Sequence, residues 1–170
     1  MARQMEIEGL SSEMTFAEAG ALVVEARAAE LLEHSDGVLD TVAIDGVHDM
    51  RVATRRLRAA LEVFSPCFPK APHEQLLKEV KSIADALGER RDRDVAIEML
   101  SGFTEAIARP DRPGIRSLIE RYRAEQLEAN RDLVPFVAPE RIARVESEAR
   151  ALAAAARSSI SPSDPGGETD

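Results

Sequence analysis

Apolar residues recur along this chain at intervals of three and four, the spacing of one face of an α-helix. Ala17, Ala21, Val24, Ala28 and Leu31 follow it, and Thr15 with Glu18 reads as a capping box, so a first helix is expected over 16–34. Asp36-Gly37 ends that helix, and a connection rich in Asp and Gly runs over 36–46. Val47, Met50, Thr54, Leu57, Leu61 and Phe64 predict a second helix, with Asp45 as its candidate N-cap and Ser65-Pro66 as its stop. Pro72 suits the first turn of a third helix whose inner face is Leu76, Leu77, Val80, Ile83, Ala84 and Leu87. Helical spacing resumes at Val95, Ile97, Met99 and Leu100, so Gly88 is read as an interior glycine of one long helix reaching about residue 101. A fourth helix from Pro113 carries Ile115, Leu118, Ile119, Tyr122, Gln126, Ala129 and Leu133. Pro135 and Pro139 bracket a break before an alanine-rich helix over 140–157. The pattern predicts an all-α, up-and-down antiparallel bundle of four to five helices with short connections. Residues 1–13 form an N-terminal extension, 14–157 the bundle and 158–170 a polar tail expected to be disordered.

Composition agrees with helices. Hydrophobic residues make up 44 % of the 170 and aromatics only 4 %, too few for an ordinary β-sandwich. The single cysteine, Cys67, excludes a disulfide framework and a cysteine-based zinc site, and implies a reducing, cytoplasmic setting. No apolar run approaches the roughly 18 residues of a membrane span, and the first residues lack the hydrophobic stretch of a secretory signal. The net charge of −9 argues against general or specific nucleic-acid binding. That average hides an asymmetry. Residues 1–46 carry ten acidic and two basic side chains, a net of −8, whereas 47–170 carry twenty-one and twenty. Within the second part, residues 48–58 (HDMRVATRRLR) hold four Arg against one Asp.

At about 100° per residue, His48, Arg51, Arg55 and Arg58 fall on one stripe of the second helix, one position to the side of its apolar face. Cations one turn apart stand about 5–6 Å from each other along the axis, which suits an extended polyanion better than a single phosphate. Arginine is the residue for phosphoryl oxygens, since its planar fork donates two parallel hydrogen bonds and keeps its charge at any relevant pH. Arg56 points to another side. Lys78 and Lys81 on the third helix could face the same groove, Arg91 could face the ligand, and Asp92 could hold an arginine of the second helix in place. Arg116 and Arg123 are further basic candidates on the fourth helix. His34, His48 and His73 have no metal-ligand spacing, so neither a metal nor a cofactor is expected. His34 is read as a partner of a helix C-terminus, His73 as exposed and Cys67 as inert. No phosphate-binding Gly-rich loop, GxSxG or HExxH motif occurs, and nothing marks a catalytic site. The plain alternative is a helical protein–protein interaction domain whose basic stripe docks an acidic partner or is neutralised by the acidic first helix (Glu18, Glu25, Glu30, Glu33).

Val47 to Phe64, VHDMRVATRRLRAALEVF, resembles the signature helix of the CHAD family, histidine-containing α-helical domains often found beside triphosphate-tunnel enzymes. Leu76 to Leu100 resembles that family's next helix, with its pattern at Leu87, Gly88, Arg91, Asp92, Asp94 and Val95. The resemblance covers about residues 14–150. It implies a non-catalytic module that binds inorganic polyphosphate in a basic groove and associates with polyphosphate granules. The positions it marks for binding are His48, Arg51, Arg55 and Arg58, then Lys81 and Arg91, with Arg56, Lys78, Arg116 and Arg123 as secondary candidates. The family usually has two four-helix halves around a shared basic pore. The present sequence matches one half, and no second H-x-x-R segment follows Arg123, which leaves three alternatives: a homodimer that brings two stripes together, an open groove with weaker binding, or a degenerate copy that binds nothing.

Overall fold

The computed structural model describes residues 7–159. Five helices run in the order α1 (Phe16–Glu33), α2 (Asp45–Val63), α3 (Lys70–Ala106), α4 (Arg112–Leu133) and α5 (Pro139–Ser158). Single 3₁₀ turns at Ser65–Cys67 and Arg109–Asp111 join α2 to α3 and α3 to α4, and no strand occurs among the described residues. The expected tail lies almost wholly outside the described residues.

Local chemistry explains most boundaries. Thr15 Oγ1 accepts from the Glu18 backbone N–H, and the Glu18 carboxylate accepts from the Thr15 N–H at 2.7 Å, which closes the capping box of α1. Asp45 is not the cap of α2. It is the first helical residue, while Asp40 Oδ1 accepts from the backbone N–H of Val42 and Ala43 at 2.7 and 3.0 Å and organises the approach. Two glycines fit this corner. Gly37 has a φ of +73°, and a Cβ on Gly46 would stand 2.9 Å from the Gly37 carbonyl oxygen. α3 is longer than its periodicity suggested, reaching Ala106 without interruption at Gly88.

Four helical paths alternate in direction around one core. Val24 and Leu31 of α1, Leu57 and Leu61 of α2, Val80, Ile83 and Leu87 of α3, and Ile142, Val145, Ala149 and Leu152 of α5 fill it. The fourth path is split. Gln126 and Asn130 of α4 reach Asp94 and Arg90 on the upper half of α3, whereas Arg141 of α5 reaches Ser82 and Glu79 below them. Both segments therefore run back along α3, separated by the break at residues 134–138. The α5 part packs against α1 in the shared core, and α4 adds only its last residue, Leu133, to it. Beyond Asp94 no α3 residue is buried, and α4 has no buried residue before Ile119, so this end of the α3–α4 hairpin stands clear of the rest. Val95, Met99, Phe103 and Leu118 are exposed there.

Two buried ion networks fix the helices against each other. Glu30, fully enclosed, accepts from Arg27 at 2.7 Å and from Arg56, tying α1 to α2. Arg90, also fully enclosed, donates to Asp94 Oδ1 at 3.1 Å, Asn130 Oδ1 at 2.6 Å and the Asp40 carbonyl at 3.0 Å. Asn130 Nδ2 donates to the Leu39 carbonyl at 3.0 Å, so the α1–α2 loop is held at both points. The acid that holds an arginine is therefore Asp94, and its arginine sits on its own helix. Asp92, expected in that role, is exposed. His73 is buried rather than exposed. Its Nε2–H donates to the Leu61 carbonyl at 2.8 Å, and its ring stacks on Phe68 with centroids 5.9 Å apart.

Candidate functional site

The side of α2 decides the fate of each arginine. Arg56 falls on the flank facing α1 and is taken by Glu30. His48, Arg51, Arg55 and Arg58 fall on the other flank, toward α3, at spacings of three, four and three. That flank continues into Glu62, whose Oε1 accepts from Arg58 Nε at 3.0 Å and lies 3.3 Å from Lys81 Nζ across the helix pair. This contact sets the register. α2 and α3 are antiparallel neighbours, so moving up α2 from Glu62 through Arg58 and Arg55 to Arg51 runs along α3 from Lys81 through Ala84 and Gly88 to Arg91. The α3 flank repeats the same three-four-three spacing. Its two middle positions are small, and a Cβ on Gly88 would meet nothing within 4 Å. The strip of surface between the two rows, with small residues at Ala84 and Gly88, is the candidate groove.

Electrostatically the groove is open at one end and quenched at the other. Arg51 and Arg55 are exposed and, among the described residues, make no hydrogen bond or ion pair. His48 and Arg91 are half-buried and likewise have no partner there. Arg58 and Lys81 share Glu62. The Arg58 hydrogen bond, and after it the one from Lys81, hold the Glu62 carboxyl below its ordinary value, so it stays ionised at neutral pH. The acidic first helix thus neutralises Arg56, which lies off the stripe, while on the stripe a residue of α2 itself quenches the Arg58 end.

The secondary candidates belong elsewhere. Lys78 lines a separate pocket of about 420 Å³ between α3 and α5, with Arg141, Arg144, Glu79 and Glu148. There Arg141 is already engaged by Glu79 and lies 4.5 Å over the Phe136 ring. Arg116 and Arg123 line a pocket of about 430 Å³ between the free ends of α3 and α4, with Arg112, Glu105 and Glu120. Burial pushes the Cys67 thiol up, so it is protonated at neutral pH. Among the described residues no three His, Cys, Asp or Glu side chains gather closely enough to hold a metal ion, and no helix is long and apolar enough to cross a membrane.

The sequence model of the CHAD domain matches residues 22–168, most of the chain. No curated protein and no solved structure matches it.

Proposed function

The chain belongs to the CHAD domain family, and from that membership we propose that it binds inorganic polyphosphate in the groove between α2 and α3. His48, Arg51, Arg55 and Arg58 would contact the chain from one wall, Lys81 and Arg91 from the other. CHAD domains in general are polyphosphate-binding modules. The observation that supports the reading here is the pair Arg51 and Arg55, one turn apart, exposed and, among the described residues, unpaired, beside the small positions Ala84 and Gly88 of α3. An arginine in a folded protein ordinarily finds a carboxylate or lies along the surface. Two successive turns of open guanidinium groups, with Lys81 and Arg91 on the neighbouring helix, fit a linear chain of phosphoryl groups, each able to accept the two parallel hydrogen bonds of an arginine fork. The role is binding, not catalysis. The same reading places the protein in the cytoplasm at polyphosphate granules and pairs two copies so that their rows act together.

The test is a titration of long-chain polyphosphate at low and high salt, beside heparin and duplex DNA. Polyphosphate should bind more tightly than either, more tightly as it lengthens, and with a steep fall in affinity as salt rises, because each neutralised phosphate releases a counterion. Equally weak binding of all three polyanions would leave only unspecific electrostatics and end the proposal.

A further inference from the structure

Glu62 sits at the one place where the groove's cations are already occupied. Its Oε1 takes the Nε–H of Arg58 at 3.0 Å and lies 3.3 Å from the Lys81 ammonium. One carboxylate thus neutralises a cation from each wall. It does so in the open: the side chains of Glu62, Arg58 and Lys81 are exposed by 43, 43 and 42 %. As a structural tie such a contact achieves little, because ion pairs in water-accessible positions contribute weakly to stability. The contrast with Glu30 is direct. That carboxylate is fully enclosed and holds two helices together through Arg27 and Arg56. The Glu62 oxygen instead accepts from one guanidinium and faces one ammonium as the oxygen of a bound phosphoryl group would, but with less charge and fewer acceptors.

We propose that Arg58 and Lys81 form a phosphoryl subsite that Glu62 keeps closed until a polyanion displaces it. The inference rests on the polyphosphate reading of the groove and adds to it a specificity residue. Arg51 and Arg55 form the open entrance. Arg58 lies seven residues beyond Arg51, about 10 Å along the helix axis. A small anion gains only the open cations and leaves Glu62 in place. A long chain held at Arg51 and Arg55 presents its next phosphoryl groups to Arg58 at high effective concentration and can displace the carboxylate. Glu62 thereby selects for length, and it does so without contacting the ligand in the bound state.

Glu62→Gln in the full chain tests this, since it keeps the shape of the side chain and removes its charge. Binding of long-chain polyphosphate and of pyrophosphate is followed by calorimetry over a salt series. The proposal expects long-chain affinity about five- to twenty-fold higher at moderate salt, with the salt slope steeper by about one to two released counterions. Pyrophosphate should gain by a larger factor, narrowing the preference for long chains. Adding Arg58→Ala or Lys81→Ala to Glu62→Gln should abolish the gain, and melting temperature should barely move. Unchanged or weaker binding by a folded Glu62→Gln protein would overturn the proposal and make Glu62 a positioning residue, while leaving the polyphosphate reading intact if the parent protein binds. Binding by the variant alone would uphold the closed subsite and refute the reading for the parent chain. Failure of both proteins to bind would refute both.

Discussion

Arg90→Met asks how much of this fold hangs on one enclosed guanidinium. Methionine matches the aliphatic stem of arginine and fills similar space, so the change removes charge and hydrogen bonds more than volume. Among the described residues Arg90 supplies the one cation within hydrogen-bonding reach of Asp94, together with bonds to Asn130 Oδ1 and the Asp40 carbonyl. Asp94 is almost completely enclosed, and its Oδ2 already lacks a hydrogen-bond partner. After the substitution its carboxylate would keep only Gln126 Nε2, at 2.6 Å. Stranding one member of a buried ion pair costs about 3–5 kcal/mol. At roughly 2–4 °C per kcal/mol for a chain of this size, the melting temperature should fall by about 6–20 °C. Arg90→Met with Asp94→Leu removes the stranded charge as well, and should recover at least half of the loss even though Gln126 is left unpaired. Urea unfolding followed by far-ultraviolet circular dichroism measures both. Hydrogen exchange adds a local readout, because loss of the Arg90 bond to Asp40 should quicken exchange in the loop leading into α2. A cost below about 1 kcal/mol for Arg90→Met, ordinary for a surface change, would refute the assignment of this network as the clamp between α3, α4 and that loop.

Three further expectations follow from the same geometry. Arg51→Ala and Arg55→Ala should each remove about 0.7 of a released counterion from the salt slope and weaken polyphosphate binding about five-fold near 0.1 M salt. Arg56→Ala, which strips a partner from buried Glu30, should instead lower the melting temperature and leave the slope unchanged; equal slopes for all three variants would contradict the division of the arginines between the two flanks of α2. Glu18, Asp40 and Glu62 are all held below their ordinary values, chiefly by the Thr15 backbone N–H, the Val42 and Ala43 N–H groups, and Arg58 respectively. Depressed carboxyl values contribute stability above the unfolded values of about 3.9–4.3 and lose it as pH falls through the folded ones, so stability should decline modestly below about pH 4; a rise in urea midpoint on acidification from about pH 5 to pH 3 would contradict it. Gly88→Ala should raise stability by up to about 1 kcal/mol, since a helical glycine with open space around it gains only from a side chain. Gly20→Ala should lower stability by about 1–3 kcal/mol, because its Cβ would stand 2.8 Å from the Phe64 ring; thermal melts giving the two the same sign would disprove the packing assigned to them.

The helices and the basic stripe were legible in the sequence because both are local. A period near 3.6 decides which residues share a face, whatever the neighbouring helix turns out to be. The two enclosed ion networks were not, because each is completed by residues far away in the chain: Glu30 with Arg56, and Arg90 with Asn130 and the Asp40 carbonyl. A signal for part of the second was nevertheless present. The buried positions of α3 are His73, Leu76, Val80, Ile83, Leu87, Arg90 and Asp94, one unbroken series of threes and fours. Reading that series through its polar members would have placed His73 and Arg90 inside and chosen Asp94 over Asp92, which lies two residues away on another side. Polar residues on an apolar period mark interior hydrogen bonds, and His73 with the Leu61 carbonyl shows the rule at the opposite end of the helix. The contact of Glu62 with Arg58 is local, four residues apart, but its second partner, Lys81, belongs to the neighbouring helix.

A net charge of −9 does not oppose a polyanion groove, because most of the excess falls in residues 1–46 and a further group of carboxylates lies on the far side of α3. The other flank of α3 forms, with α4, a pocket of about 810 Å³ lined by Asp85, Glu89, Glu125, Glu128 and Asp132. The body of a helix, about 10–12 Å across with its side chains, separates that surface from the cationic row. At physiological ionic strength the Debye length is about 8 Å, so the carboxylates are largely screened from a ligand in the groove, while Arg51 and Arg55 act on it at contact distance. At about 0.01 M salt the Debye length grows to about 30 Å, and the acidic flank opposes the same ligand across the helix. Long-range repulsion and short-range attraction therefore have different salt dependences on this molecule. On the proposed reading, the acidic flank weakens loose, delocalised attachment of polyanions to the whole surface and favours the line of Arg51 and Arg55, where guanidinium groups stand open.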